Sequence, residues 1–200
     1  MAAPPSKTLK DLNGKWVMNK TLSDSTEPAL ALQGIGWFVR KGISMASVTL
    51  NVKQYTGAPK PPSTSPEEAV HIDIVQTATG GIKGTTELRC LDGVAREHTD
   101  WLFGKVSGRS RLLKRAEVAD EYLKRGWIEE EGGEGGEEAE HIESRAESVD
   151  NGWVALQVWG FQLIGGERRY ARNIMVTKGA ERVEMRLVYD WAGEQLDFEI

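Results

Sequence analysis

A chain of 200 residues has the length of one domain, and 40% apolar residues with seven Trp describe a folded globular chain rather than a disordered one. The formal charge of −5 is local: Glu129 to Glu140 carries seven Glu and no Lys or Arg, the rest sums to +2, and neither part offers a nucleic-acid surface. One cysteine, Cys90, excludes an internal disulfide framework and agrees with a reducing compartment; with no signal-peptide core and no run of about eighteen apolar residues, a cytoplasmic address is expected.

Residues 1–8 hold Pro4 and Pro5 and read as a flexible arm that joins no core, which leaves 9–200 as a single domain. The piece Asn13-Gly14-Lys15-Trp16-Val17-Met18 is short, apolar and turn-initiated, which predicts a first strand; Ser23 to Thr26 then offer helix N-caps. From Glu27 to Gly42 apolar residues sit at mixed helical spacings with Gly34 and Gly36 dividing the run, the pattern of a helix-turn-helix. After Met45 the period changes to two, Val48, Leu50 and Val52 alternating with polar neighbours as on a half-buried strand. Pro59, Pro61, Pro62 and Pro66 mark a flexible insertion, 57–68.

Strand-like segments follow at regular spacing: Val70–Thr77, Ile82–Leu91, Val94–Leu102 and Phe103–Leu113, separated by Gly80-Gly81, Asp92-Gly93 and Gly104. Helical spacing returns over Arg115–Arg125, with Gly126 as its terminator. The Glu/Gly run 129–140 reads as a second flexible insertion whose removal leaves the fold intact. Four strands close the chain, His141–Val149, Trp153–Ile164, Arg168–Thr177 and Glu181–Trp191, joined by Asp150-Asn151-Gly152, Gly165-Gly166 and Lys178-Gly179. The whole predicts an all-β fold, a ten-stranded antiparallel up-and-down barrel with a helix-turn-helix lid after the first strand and a short helix in a late insertion. Closure removes the exposed edges of so long a meander.

Four stretches carry a family resemblance: Leu12-Asn13-Gly14-Lys15-Trp16, then Leu30 to Gly42, then Met45 to Val52, and Gln162-Leu163-Ile164-Gly165-Gly166-Glu167-Arg168 near the end. They resemble intracellular fatty-acid-binding proteins of the calycin superfamily, and the chain also resembles uncharacterised lipocalin-like proteins of fungi. The resemblance implies a barrel that holds a lipophilic molecule and admits it beneath the helices. Such carriers hold a carboxylate with two arginines and a tyrosine. Here Arg186 matches one arginine, but Val188 stands at the tyrosine position and Phe161 at the partner arginine, so the clamp is incomplete and long-chain acids are expected to bind weakly.

Alternation groups Arg186 with Glu184 and Val188, away from the apolar set of its strand, which makes an outward Arg186 one of two readings. Arg172 alternates with Tyr170, Ile174 and Val176 and either points inward as a substitute cation or snorkels outward. Trp153, Gln157, Trp159 and Phe161 share one face, which lines a cavity or fills a core. Over the barrel mouth the resemblance puts Trp37 and Phe38, beside Arg40 and Lys41, a basic edge that allows at most transient membrane contact. The candidate ligand-binding set is therefore Trp37, Phe38, Gln157, Trp159, Phe161, Tyr170, Arg172 and Arg186, with a ring-bearing neutral ligand stacked on Trp159 and Phe161 and oriented by Gln157 or Tyr170.

His71, His98 and His141 show no metal-ligand spacing, and hydrolase, phosphate-loop and Cys-x-x-Cys motifs are missing, so no metal or cofactor is expected. His71 with Asp73, and Glu97-His98-Thr99-Asp100, are the acid–base candidates. Two functions compete: a carrier or chaperone of a small lipophilic molecule, and an isomerase or cyclase acting on a hydrophobic natural-product intermediate held in the barrel.

Overall fold

A computed structural model describes residues 1–80, 82, 84–128 and 140–194; the Glu/Gly insertion, except Glu140, lies outside the described residues. Ten strands form one antiparallel sheet: β1 (Gly14–Met18), β2 (Val48–Gly57), β3 (Ala69–Ala78), β4 (Thr86–Cys90), β5 (Arg96–Asp100), β6 (Gly104–Lys114), β7 (Glu140–Ser148), β8 (Val154–Ile164), β9 (Glu167–Lys178) and β10 (Glu181–Trp191). The order is β4-β3-β2-β1-β10-β9-β8-β7-β6-β5, so sequence neighbours pair and β1 joins β10, with Trp16 opposite Trp191. This is the expected all-β barrel of the calycin type. Among the described residues no backbone ladder joins the two ends of the sheet, β4 and β5. Side chains cross that seam instead: Arg89 Nη1 donates to Ser110 Oγ at 3.2 Å and to Ser144 Oγ, and Trp101 Nε1 donates to the Gly84 carbonyl at 3.1 Å.

Between β1 and β2 lie α1 (Glu27–Leu32) and α2 (Trp37–Met45), which cover the upper end. The late helix reduces to a 3-10 turn at Arg115–Glu117 and one α-helical turn, α3 (Glu121–Lys124), because Asp120 interrupts the run and caps α3 through the amides of Tyr122 and Leu123. On the outer face of β8–β10, Tyr122, Leu123 and Trp127 pack on Val158, Ala171 and Val188. Asn173 Nδ2 ties the same segment down by donating to the Arg125 carbonyl at 3.0 Å.

Inside, the lower half is solid. Trp16 is wholly buried, with ring centroids at 5.3 Å from Tyr170, 6.2 Å from Phe161 and 4.8 Å from Trp191. Gly14 explains the Gly-x-Trp opening: its φ is +124°, and a Cβ there would stand 2.3 Å from the Trp191 ring. Residues 1–8, expected outside the core, instead close this end. Ala3 joins the core and donates its amide to the Arg168 carbonyl at 2.7 Å, while Trp191 donates its amide to the Met1 carbonyl at 3.0 Å. The proline insertion is tied to β3 and β5: His71 Nε2 lies 3.0 Å from the Ala58 carbonyl, and Arg96 donates to the carbonyls of Lys60 at 2.6 Å and Pro61 at 3.0 Å.

Candidate ligand cavity and its polar floor

Above the aromatic core the barrel is hollow, enclosing a cavity of about 260 Å³. Leu30, Ile43 and Ala46 from the helical segment form its roof; Ile174, Val176, Met185, Leu187, Trp153 and Phe103 make an apolar wall. Its floor is polar, built from Gln76, Glu87, Arg89, Gln157, Arg172 and Tyr189. The strand register sets this level: Arg172 stands opposite Trp159 on β8 and Leu187 on β10, and Gln157 stands opposite Ile174 and Ser144.

The floor is an ordered ionic network. Arg89 donates to Glu87 Oε2 from Nε at 2.9 Å and Nη2 at 2.7 Å, and Gln76 Nε2 donates to Oε1 at 2.5 Å. Burial pushes the Glu87 carboxyl up, yet the charges of Arg89 and Arg172 and these hydrogen bonds outweigh it and hold it below the usual range. Arg172 Nε donates to Tyr170 Oη at 2.9 Å, and its guanidinium lies 3.9 Å from the Trp159 ring centroid. Burial opposes the Arg172 charge, but Tyr170, Tyr189 and Glu87 hold it, raising its pKa further. Burial in turn pushes the Tyr170 phenol up to about 12, so it remains protonated.

Two of the eight residues expected to bind ligand, Gln157 and Arg172, line the cavity. Trp159, Phe161 and Tyr170 lie below the floor in the packed core, so their shared face fills rather than lines. Arg186 takes the outward reading: its amide donates to Asp24 Oδ2 at 2.7 Å and its Nη1 to Gln162 Oε1 at 3.4 Å on the outer face. Trp37 and Phe38 point to solvent, Phe38 being 83% exposed, and the roof comes from Ile43 and Ala46 instead. Of the acid–base candidates, His98 and Asp100 border the cavity. His71 sits outside the sheet, stacked on Tyr55 with Nε2 at 3.0 Å from the Ala58 carbonyl, and His141 packs beside Trp127 on the outer face. Glu87, Arg89 and Gln76 escaped sequence reasoning. Among the described residues no group of three or more His, Cys, Asp or Glu is placed to hold a metal, and no helix is long and apolar enough to cross a membrane.

No protein-family model matches the chain. Among curated proteins it is 36% identical over 201 residues to the probable pericyclase scpY of Mollisia scopiformis, covering 97% of this chain and 96% of that one. It is 34% identical over 198 residues to the pericyclase pydY of an Acremonium species, covering 96% and 98%. The chain belongs to the family of these fungal pericyclases. Solved structures similar to it include Echinococcus granulosus fatty-acid-binding protein 1, with TM-score 0.53 and 11% identity over 91% of this chain and 98% of that one. The fluorescent protein UnaG, with TM-score 0.51 and 13% identity over 90% and 97%, is similar too. At such identities the likeness shows the barrel fold alone.

Proposed function

We propose that the protein is a pericyclase: it encloses a flexible hydrophobic polyene in the upper half of the barrel and holds it folded for ring closure. The observation that carries this reading is the match along nearly the whole chain to two proteins named pericyclases. The cavity's chemistry supports it. A pericyclic step moves electrons around a closed ring of orbitals and transfers no proton, so shape and apolar walls matter more than a nucleophile or an acid–base pair. Ile174, Val176, Met185, Leu187, Trp153 and Phe103 supply such walls. Holding the chain in its reactive fold removes rotational freedom before the barrier is reached, and each 1.4 kcal/mol so removed is worth about tenfold in rate.

The carrier reading differs in one observable. Incubated with conjugated polyenes and recovered, a pericyclase returns an isomer of unchanged mass with fewer double bonds, whereas a carrier returns the polyene itself. Recovery of unaltered ligand from a tight complex rejects the cyclase and restores the carrier.

A further inference from the structure

The cavity floor holds more positive charge than its own residues use. Glu87 is engaged on both oxygens, Oε2 by Arg89 and Oε1 by Gln76. Arg172 Nη1 stands 3.9 Å from Glu87 Oε2, beyond hydrogen-bond reach. Nε of Arg172 is satisfied by Tyr170, the guanidinium face is covered by Trp159, and Nη2 is buried with no hydrogen-bond partner. Two guanidiniums therefore face one carboxylate, and Arg172, which lines the cavity, keeps donor capacity that no hydrogen bond uses. A buried cationic donor without an acceptor is costly, and an acceptor brought by a ligand relieves that cost. A guanidinium accepts nothing, so the ligand group must be an oxygen acceptor.

Resting on the pericyclase reading, we propose that Arg172 is the catalytic electrophile of the cavity, donating to a carbonyl or enolate oxygen conjugated with one of the two reacting π systems. The substrate class is then a polyene with an electron-withdrawing acyl head, its head on the floor and its tail among Ile174, Val176, Met185 and Leu187. In a cycloaddition two σ bonds form and two π bonds are consumed within one molecule; no atom, proton or electron is exchanged with the protein, and Arg172 keeps its protons. Electron density drawn onto the head oxygen lowers the empty orbital of the conjugated double bond and strengthens its overlap with the filled diene orbital. The oxygen is more negative at the transition state than in the bound substrate, so the hydrogen bond tightens as the ring closes. Glu87 and Arg89 are positioning residues: their mutual pairing keeps the carboxylate from capturing the Arg172 edge.

A conjugated tetraenyl methyl ketone, the alcohol obtained by reducing its carbonyl, and the matching tetraene hydrocarbon test this without knowledge of the natural substrate. Bound to the wild-type protein, the ketone absorbs to the red of its spectrum in water or alcohol. The alcohol and hydrocarbon show only the shift of an apolar solvent. Arg172→Gln abolishes the red shift, Arg172→Lys keeps part of it, and the ratio of ketone to hydrocarbon affinity falls about tenfold in Arg172→Gln. A ketone spectrum in the wild type resembling that in hexane overturns the proposal even if the variants fail to fold; so does a spectrum unchanged by Arg172→Gln. With an acyl-terminated triene, Arg172→Gln lowers kcat more than it raises KM. A full red shift with no isomerisation of any polyene overturns the pericyclase reading and leaves the carbonyl site supported, whereas equal cyclisation with and without the carbonyl overturns the role of Arg172 alone.

Discussion

At the scale of single residues, the direction of Arg172 was not legible because its strand alternates Tyr170, Arg172, Ile174 and Val176, and only the cross-strand neighbour decides. That neighbour is Trp159, whose face the guanidinium covers. Glu87 and Arg89 escaped for the opposite reason. Leu88 between them is 51% exposed while the two charged side chains turn inward, the reverse of what hydropathy suggests. Trp159→Ala is expected to cost about 3–5 kcal/mol of stability, read by urea denaturation, since its ring is core beneath the floor. Arg186→Ala, on the outer face, leaves ligand affinity within about twofold of wild type by fluorescence titration, and a larger loss would put a carboxylate clamp back on β10. Gly14→Ala strains a positive-φ backbone and drives a methyl into Trp191, a loss of roughly 3 kcal/mol by the same assay. His141 carries the pH dependence of the outer core. Burial lowers its pKa below 6.5, so the unfolded chain takes up its proton before the native one does. Its contribution is complete above pH 6.5 and declines as pH falls through the native value; His141→Gln flattens that decline in melts between pH 7 and 5.

At the scale of elements, order and pairing were readable because glycine-rich turns punctuate the chain and adjacent strands are antiparallel neighbours. The short strands were less so. Expected over Ile82–Leu91 and Val94–Leu102, β4 and β5 are five residues each, against twelve for β9. Trp101–Phe103 leave the strand because Asp100 Oδ1 accepts from the amides of Leu102 at 2.8 Å and Phe103 at 2.6 Å, a side-chain turn that hydropathy does not register. Each of these strands has one hydrogen-bonded neighbour, and the seam between them depends on side chains such as Arg89 with Ser110 and Ser144. Amide exchange in β4 and β5 should therefore run faster than in β8 and β9, whose ladders are flanked on both sides. Ser144→Val widens that contrast by removing one seam acceptor; equal protection across all ten strands would contradict the seam as the weak line.

At the scale of the whole molecule, the chain folds back so that its first strand seals the sheet against its last, and residues 1–8 plug the lower end. The arm escaped sequence reading because its anchors lie at the far end of the chain: backbone bonds join Ala3 to Arg168 and Trp191 to Met1, and Lys7 Nζ reaches Glu194 Oε2 at 3.2 Å. Deleting residues 1–8 should lower the melting temperature by several degrees while leaving the affinity for a polyene ketone unchanged, since the cavity lies at the other end. With the lower half filled by Trp16, Tyr170 and Phe161, a bound molecule and anything made from it share the hollow above them. On the pericyclase reading, a ring-closed product is an isomer of its precursor, fits the same space and keeps the same head oxygen, so the molecule that has just reacted is the strongest rival of the one still waiting. Progress curves should bend early, with an inhibition constant for product close to the KM for substrate.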